Sequence, residues 1–434
     1  MFAATTRLQT VQKEVTAMKT IPTTDFKTGQ MTFFTGPAAA LGEPMYKGHI
    51  MAAEEINALG GLLGKRKITT IKADEAAGTD ANVKELRRMA LEEKIDMFAG
   101  ITSSGNTPAL GPVAEELGVL TLFTDGCTDF LFDKAVPNPH FIFRITNIQS
   151  ADGVTASVMA NMQWPNVKSV AHLHPDYSYG HNAYDHFKIV MSKLNPSAQT
   201  VYEGWPKLGT SEFTEHITKI IDAKPDLLYS SLWGGDYVAF YKQANGYGLF
   251  NKMHFASTLS HGVAPQFLGK DHPEGTIAGH HSNYYFTYSN AQPGSWPLND
   301  SFIARYRARW DGEYPNFQAE GAYTGVYMLK TAIERAAKLV GGWPEVDQII
   351  GQLEGLSMAA PAGYIYIRPD NHQAYKDTVT GLSKNSPDYP FNIVDPMSVV
   401  KMPIQKLTAP PNWPKGDPTS TYTWIDQTWP KLSS

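Results

Sequence analysis

Residues 31–73 constrain the fold more than any other part of the chain, because they join two strand-like segments through a helix. Residues 32–34 are extended and apolar, and Gly36-Pro37 ends that strand. From about residue 45 apolar side chains recur at helical spacing, and glycines end the helix before the next strand near Ile68. This βαβ unit predicts a parallel sheet that binds ligands beyond the carboxyl ends of its strands.

The same alternation of strands and helices continues along the chain. Apolar strand-like segments alternate with helical stretches in two series. The first series comprises residues 95–101, 119–124 and 141–146, and the second comprises residues 167–172, 227–231 and 252–257. Doubly wound sheets usually close within about 150–200 residues. A chain of 434 residues therefore predicts two α/β lobes.

Composition excludes several classes of function. The net charge of −5 comes without a stripe of Lys and Arg, so we expect no nucleic-acid partner. No apolar run approaches the roughly 20 residues that span a bilayer, which predicts no direct membrane insertion. The single Cys127 rules out a disulfide framework and a zinc site built on cysteines. No nucleotide-binding or hydrolase motif is present, so we predict no cofactor and no enzyme activity.

The two ends of the chain differ from its interior. Residues 1–29 lack the apolar core of a secretory signal, so either a leader has been removed or the protein is cytoplasmic. Residues 403–434 are rich in Pro and Trp, which predicts an extended tail on the surface instead of a regular helix.

Four segments together resemble the type I periplasmic binding proteins, and among these the branched-chain amino-acid-binding family of ABC importers; they read GPAAALG, EINALGGLLGK, AGITSSGNTPA and HPDYSYGHNAYDHF. The resemblance runs from about residue 31 to about residue 374. It implies two Rossmann-like lobes joined by three hinge crossings, near residues 147–150, 275–281 and 359–364. Lobe 1 would combine 30–147 with 280–358, lobe 2 would combine 148–278 with 362–402, and 1–29 and 403–434 would lie outside both.

The resemblance also implies a function. A small-molecule ligand would bind in the cleft between the lobes and stabilise the closed form, without a covalent step. Closure would present one composite surface to the membrane permease of an ABC transporter, which implies a periplasmic location. A cytoplasmic ligand sensor of the same fold, regulating gene expression, is the alternative.

In lobe 1, Thr102, Ser103 and Ser104 form a polar turn between a predicted strand and a predicted helix. Hydroxyl and backbone N–H groups at such a place suit a carboxylate, although the same side chains could simply cap the helix. The resemblance adds Thr128 as a hydroxyl contact and Cys127 as a small wall residue. It also adds Leu41, where the family often has an aromatic side chain.

In lobe 2, the resemblance makes Tyr179 a cleft residue, with Tyr177 beside it. Trp233 precedes Gly234-Gly235, where the backbone can come close to a ligand, and its indole offers a stacking surface. Each could instead be a turn or core residue. Tyr284, after the second crossing, is a further candidate.

One position departs from the family. Amino-acid binders of this family carry an acidic residue where this chain has Leu259, flanked by Ser260 and His261. An ammonium group without a partner in a closed cleft is unfavourable. We therefore expect a carboxylate with an apolar or aromatic body, and keep a branched-chain amino acid as the alternative, with Asp236 able to supply the acid if the alignment shifts. His172, His174 and His181 lack a Cys or Glu partner at the spacing of a metal site, so no metal is predicted.

Overall fold

The computed structural model describes residues 20–281, 296–400, 402–414, 416–417 and 419–432. Within this range the strands are β1 (Phe26–Thr32), β2 (Ile68–Asp74), β3 (Met97–Gly100), β4 (Thr121–Phe123), β5 (Ile142–Arg144), β6 (Ser169–Leu173), β7 (Gln199–Gly204), β8 (Leu227–Ser230), β9 (His254–Ser257), β10 (Ile277–His280), β11 (Ser357–Ala360), β12 (Gly363–Ile367), β13 (Ala374–Tyr375), β14 (Val379–Asn385) and β15 (Asn392–Val394).

The helices alternate with these strands through most of the chain. They are α1 (Ala39–Ala58), α2 (Thr79–Arg88), α3 (Thr107–Leu117), α4 (Ser150–Gln163), α5 (Ser178–Leu194), α6 (Thr214–Ala223), α7 (Gly234–Gly246), α8 (Ser260–Leu268), α9 (Pro297–Arg309), α10 (Phe317–Val340), α11 (Val346–Leu353) and α12 (Ser420–Leu432).

The first sheet has five strands in the order β2-β1-β3-β4-β5, and every neighbouring pair is parallel. Apolar helix side chains cover both faces. Met51 of α1 and Leu329 of α10 belong to the cluster on one face, while Leu86 of α2 and Leu110 of α3 belong to the other. The strand order reverses between β1 and β3, so a crevice opens beyond their carboxyl ends.

The second sheet has seven strands in the order β15-β14-β10-β9-β8-β6-β7. The pairs among β10, β9, β8, β6 and β7 are parallel, and β14 and β15 add antiparallel pairs at one edge. Two Rossmann-like units are therefore present, and the predicted α/β fold class is confirmed.

The first strand and helix begin earlier than the sequence indicated. Strand β1 begins at Phe26, not residue 32, so residues 26–29 belong to the sheet and not to an N-terminal extension. Helix α1 begins at Ala39, six residues before the predicted start. The alanine run 38–40 favours helix and carries no side-chain periodicity, which is why the pattern did not reveal it.

Strands β11, β12 and β13 form a small antiparallel sheet beside the first lobe. Ile365, Ile367 and Ala374 lie in the same apolar cluster as α1 and α10. Residues 362–375 thus pack with lobe 1, although the sequence placed them in lobe 2. We therefore move the predicted third crossing from 359–364 to residues 376–378, just before β14.

The prediction of an extended C-terminal tail was wrong for its last part. Helix α12 packs against α4 and α5, and Trp424, Ile425 and Trp429 are buried there with Val154 and Val190. Five of the six prolines after residue 402 precede Ser420, so the proline-rich part ends where the helix begins. The apolar side chains that follow are stabilised by burial in a helix that packs on α4 and α5, and an extended surface tail would leave more of their area in water.

Candidate functional site

The turn after β3 is shaped by an uncommon backbone. Gly100 has φ +112° and Ile101 has φ +67°, and the N–H of Ile101 donates to the carbonyl of Met31 on β1 at 2.8 Å. Positive φ is rare for a β-branched residue and tends to occur where function requires a special turn. This backbone directs residues 102–106 into the crevice ahead of α3.

Glu75 occupies part of the turn that we predicted to bind an anion. Its carboxylate accepts hydrogen bonds from the backbone N–H groups of Thr102 and Ser103 and from Asn106 Nδ2, each at 2.8 Å. Burial raises the pKa of Glu75 to about 7, against the lowering effect of these donors. The chain therefore satisfies these N–H groups itself, and the prediction that they serve a ligand is not supported.

The turns at the strand ends of the two sheets converge on one small cavity. The residues that line it come from both lobes and are Leu41, Thr102, Ser104, Asp125, Cys127, Tyr177, Tyr179, Trp233, Leu259 and His281. The cavity measures about 10 Å³, which holds about one water molecule. Eight of these ten side chains are among the twelve that the sequence predicted.

Aromatic side chains form the wall from the second lobe. Trp233 Nε1 donates to the Tyr177 hydroxyl at 3.0 Å, and the rings of Tyr177 and Tyr179 lie 6.1 Å apart. The Tyr179 hydroxyl is 3.2 Å from Thr258 Oγ1. These contacts fix the orientation of all three rings, so the wall presents a preorganised flat surface.

Hydroxyl groups from the first lobe face this wall. Ser104 Oγ accepts from the N–H of Thr128 at 3.3 Å and lies 3.9 Å from Cys127 Sγ. Thr102 Oγ1 donates to Gln318 Oε1 at 3.1 Å, so its proton is already used. Ser104 is therefore the better placed of the two to donate to a ligand.

An acidic and imidazole cluster forms the end of the cavity near the second crossing. His281 Nε2 binds Asp152 Oδ2 at 2.6 Å, and its Nδ1 lies 3.4 Å from Asp125 Oδ1. Burial alone would lower the pKa of His281, but the carboxylates of Asp152 and Asp125 and the Cys127 thiol raise it well above its usual value. The charged imidazolium form is therefore favoured; its Nε2 donates to Asp152, whereas its Nδ1 contacts Asp125 without a hydrogen bond.

Cys127 lies beside this cluster as a buried thiol. Its Sγ donates to Gln149 Oε1 at 2.8 Å, and burial raises its pKa. A raised pKa disfavours the nucleophilic thiolate, which fits the predicted role as a wall residue. One ligand atom each of Asp125, Cys127 and His281 lie within 4.8 Å of one another. A metal ion bound to Cys127 Sγ would have to displace the bond from the thiol to Gln149.

Three predicted residues lie outside the cavity lining. Ser103 is held through its backbone by Glu75, and its Oγ accepts from the N–H of Gly105 at 3.3 Å. Thr128 Oγ1 donates to Asn182 Oδ1 at 2.7 Å, and His261 Nε2 contacts Asn392 Oδ1 at 3.0 Å. Each of these groups already has a partner in the protein. Tyr284 lies outside the described residues.

Sequence reasoning missed Asp125 and His281. Asp125 lies in the predicted polar turn after β4, two residues before Cys127. The strand-end rule that indicated Thr102, Ser103 and Ser104 could have indicated Asp125 too. His281 follows β10 and reaches the cavity only because the second crossing brings it beside Asp125 and Asp152, which no local pattern shows.

The structure also shows where Leu259 and Asp236 lie, the two residues considered for the position of the family's acidic residue. Leu259 lines the cavity, as the sequence indicated. The carboxylate of Asp236 accepts from the N–H of Gly209 at 2.7 Å, and Asp236 is not among the lining residues. Asp236 therefore does not replace the acid; among the described residues that line the cavity, Asp125 carries the carboxyl group.

Among the residues that the structure describes, no helix combines the length and the apolar character that a membrane crossing requires.

A family model described as periplasmic binding protein matches residues 26–381. A Leu/Ile/Val-binding protein homologue of Brucella suis is 27% identical over 373 residues, which cover 82% of this chain and 88% of the relative. An amino acid binding protein of Pseudomonas aeruginosa is 28% identical over 196 residues, 45% of this chain and half of that relative.

Solved structures share the fold at lower identity. A solute-binding protein of an ABC transporter from Rhodopseudomonas palustris, in complex with 3,4-dihydroxybenzoic acid, has a TM-score of 0.74 and 22% identity over 88% of this chain and 98% of that chain. Another from R. palustris, in complex with 4-hydroxybenzoate, has a TM-score of 0.73 and 19% identity over 87% of this chain and 97% of its own. With the family match across most of the chain, these findings show that the protein belongs to the periplasmic binding proteins, as a type I member of the branched-chain amino-acid-binding family.

Proposed function

We propose that this chain is the extracytoplasmic solute-binding component of an ABC importer. It would work in the periplasm, bind a small ligand between its lobes and deliver that ligand to a membrane permease. Family membership supports this role, because the relatives are binding proteins and the structural neighbours belong to ABC transporters. For this role the ligand has to stabilise the closed form relative to the open form, and no covalent step is needed.

The proposed ligand is a carboxylate with an apolar or aromatic body. The observation that carries this proposal is the cavity, where Tyr177, Tyr179 and Trp233 face Ser104. The Tyr177 hydroxyl accepts from Trp233, which leaves its own proton for a ligand, and among the described contacts the Ser104 proton meets only the weak acceptor Cys127 Sγ. Two hydroxyl donors can bind a carboxylate, while the rings cover a flat body.

Binding requires the walls of the cavity to separate. Small-molecule sites in proteins measure roughly 300–1,000 Å³, far more than the cavity of about 10 Å³ in this structure. The walls come from two different sheets, so a hinge motion of one lobe against the other would open the site. Closure over the ligand would then place it between Ser104 and the aromatic wall.

The test is isothermal titration of protein that has been unfolded, washed and refolded to remove any copurified solute. We expect micromolar or tighter binding of benzoate or a hydroxybenzoate and much weaker binding of leucine, isoleucine and valine. Micromolar leucine binding without binding of aromatic acids would contradict the aromatic proposal.

A branched-chain amino acid is the second candidate. The carboxyl group of Asp125 at the cavity could accept from a ligand ammonium, although it comes from a different turn than the family's acid. The name of the B. suis relative also points to Leu, Ile and Val. The same titrations decide between the two ligand classes.

Location and transport need a cellular measurement. Fractionation of the native host should place the protein in the periplasm, and deletion of its gene should remove uptake of the radiolabelled ligand. Retention in the cytoplasm with unchanged uptake would favour the ligand-sensor alternative.

A further inference from the structure

We propose that Asp125 is a specificity-determining residue that accepts a hydrogen bond from a hydroxyl group on the ligand. The site would then select hydroxylated aromatic acids over the unsubstituted acids. This inference rests on the proposed function and names the ligand class within it. This chain has Leu259 where the family's amino-acid binders carry an acidic residue. The Asp125 carboxyl group would supply the acid of the site instead, and it would recognise a neutral donor.

The first observation is an acceptor without a donor at the cavity. Asp125 is 4% exposed and lines the cavity. Its Oδ2 accepts from Gln318 Nε2, whereas Oδ1 accepts no hydrogen bond from any residue that the structure describes. Buried acceptors are nearly always paired in folded proteins. A ligand hydroxyl would supply the missing donor.

The second observation is that Asp125 is held in place. Gln318 donates to its Oδ2 and in turn accepts from Thr102 Oγ1, so the carboxyl group is held by a side chain that is not among those lining the cavity. Gln318 lies near the start of α10, where Asn316 Oδ1 caps the helix by accepting from the N–H groups of Gln318 and Ala319. A rigid acceptor discriminates between ligands better than a mobile one.

The third observation concerns charge and favours a hydroxyl over an ammonium. His281 Nδ1 lies 3.4 Å from the same Oδ1 atom, as an ion-pair contact without hydrogen-bond geometry. A ligand ammonium on Oδ1 would therefore be forced close to a second cation in a buried site, where like charges repel strongly. A hydroxyl donates its proton to Oδ1 without this repulsion.

More orphaned polar atoms lie at this end of the cavity. Gln149 Nε2 and Asn147 Oδ1 are buried without hydrogen-bond partners among the described residues, and Asn147 Nδ2 donates to the carbonyl of His281 at 2.6 Å. In the aromatic wall, by contrast, Trp233 Nε1 and the Tyr179 hydroxyl both have hydrogen-bond partners within the protein. The polar substituent of the ligand would therefore point towards Asp125 and the ring towards the wall.

The experiment compares matched ligands in matched variants by calorimetric titration. The ligands are benzoate and its 2-, 3- and 4-hydroxy derivatives, with leucine and 4-methylpentanoate as a pair that differs by one ammonium. The variants are the unaltered protein, Asp125→Ala and the control Asp347→Asn, which removes an exposed carboxylate whose side chain is 73% accessible. Thermal melts check that each variant is folded.

We expect at least one hydroxybenzoate to bind the unaltered protein about tenfold or more tightly than benzoate. Asp125→Ala should reduce this ratio to near one, and Asp347→Asn should preserve it. The ratio in the unaltered protein is informative even if Asp125→Ala does not fold.

Four outcomes would overturn the inference. Benzoate could bind as tightly as all three hydroxybenzoates, or the preference could persist in Asp125→Ala; the proposed function would survive either result. A preference for leucine over 4-methylpentanoate that Asp125→Ala abolishes would show that Asp125 binds an ammonium instead. Absence of binding by every acid and amino acid in the panel would overturn the proposed ligand class as well.

Discussion

At the scale of single residues, the site depends on which polar groups the protein leaves for a ligand. Glu75 uses the N–H groups of Thr102 and Ser103, whereas Asp125 Oδ1, at the cavity, accepts no hydrogen bond from the part of the chain that the structure describes. The turn that looked like an anion site is thus partly filled by the chain itself. The discriminating group lies one strand further along the sheet.

The buried Glu75 makes stability depend on pH. Its pKa rises from 4.5 to about 7 in the folded protein, so between these values the folded state binds more protons than the unfolded state. The free energy of unfolding should therefore fall as pH rises from about 4.5 through about 7, by up to about 3 kcal/mol from this group. Glu75→Gln should lack this contribution.

Urea denaturation of both proteins at pH 5 and pH 8 measures the effect. Other titrating groups are common to both proteins, so the change in their difference between the two pH values isolates Glu75. A difference that is equal at pH 5 and pH 8 would contradict the prediction.

Trp233 contributes both a ring and a donor to the aromatic wall. Trp233→Phe removes the hydrogen bond to the Tyr177 hydroxyl and part of the stacking surface. We expect the affinity for an aromatic acid to fall by about threefold to tenfold. Trp205→Phe is the control, because Trp205 stacks on His181 and does not line the cavity. Equal losses in both variants would argue against a ligand contact at Trp233.

At the scale of secondary-structure elements, the C-terminal helix is part of the fold. It packs on α4 and α5 through Trp424, Ile425 and Trp429. Its first turn also reaches the first lobe, where the N–H of Thr421 donates to Asp133 Oδ2 at 2.9 Å. The helix therefore contacts both lobes near the first hinge crossing.

Removing one buried ring from α12 should show how much this packing stabilises the protein. Trp424 is 3% exposed, and Trp424→Ala should lower the free energy of unfolding by about 3–5 kcal/mol because it leaves a cavity. Thr423→Ala, at an exposed position of the same helix, should change it by less than about 0.5 kcal/mol. Urea titration measures both, and a near-neutral Trp424→Ala would mean that the helix is dispensable.

At the scale of the whole molecule, the two sheets meet through close contacts outside the cavity as well as in it. The N–H of Gly235, at the start of α7, donates to the carbonyl of Pro37 on the first lobe at 3.2 Å. A Cβ at residue 235 would lie 2.5 Å from Pro37 Cβ. The absence of a side chain at this position therefore permits the close approach of the lobes.

Gly235→Ala should disfavour the closed arrangement. An overlap of this kind is unfavourable by roughly 1–3 kcal/mol, which corresponds to an affinity about fivefold to 150-fold lower. Gly246→Ala is the control, because it lies on the same helix and a Cβ there meets no atom within 4 Å. Titration gives the affinity, and small-angle scattering with saturating ligand reports whether the lobes still close. Unchanged affinity in Gly235→Ala would show that this contact plays no part in closure.

The sequence by itself determined the α/β class, the family and most of the cavity. Strand and helix periods are local properties, and strand-end turns in parallel sheets face one edge, so Ser104 and Trp233 could be found from their neighbours in the chain. Tyr179 was found through the family resemblance. The sequence did not reveal the C-terminal helix, because prolines dominate the segment before it. Its burial also depends on partners in α4 and α5, which are far from it in the chain.

The tertiary structure decided which polar groups are free. Glu75 lies 27 residues before Thr102, and His281 lies 129 residues after Asp152, yet these pairs are in direct contact. Hydrogen-bond partners at such separations follow from the packing of whole elements, and no spacing in the chain records them. The occupied N–H groups at Thr102 and Ser103 and the unused acceptor at Asp125 therefore emerge only when both sheets are folded and brought together.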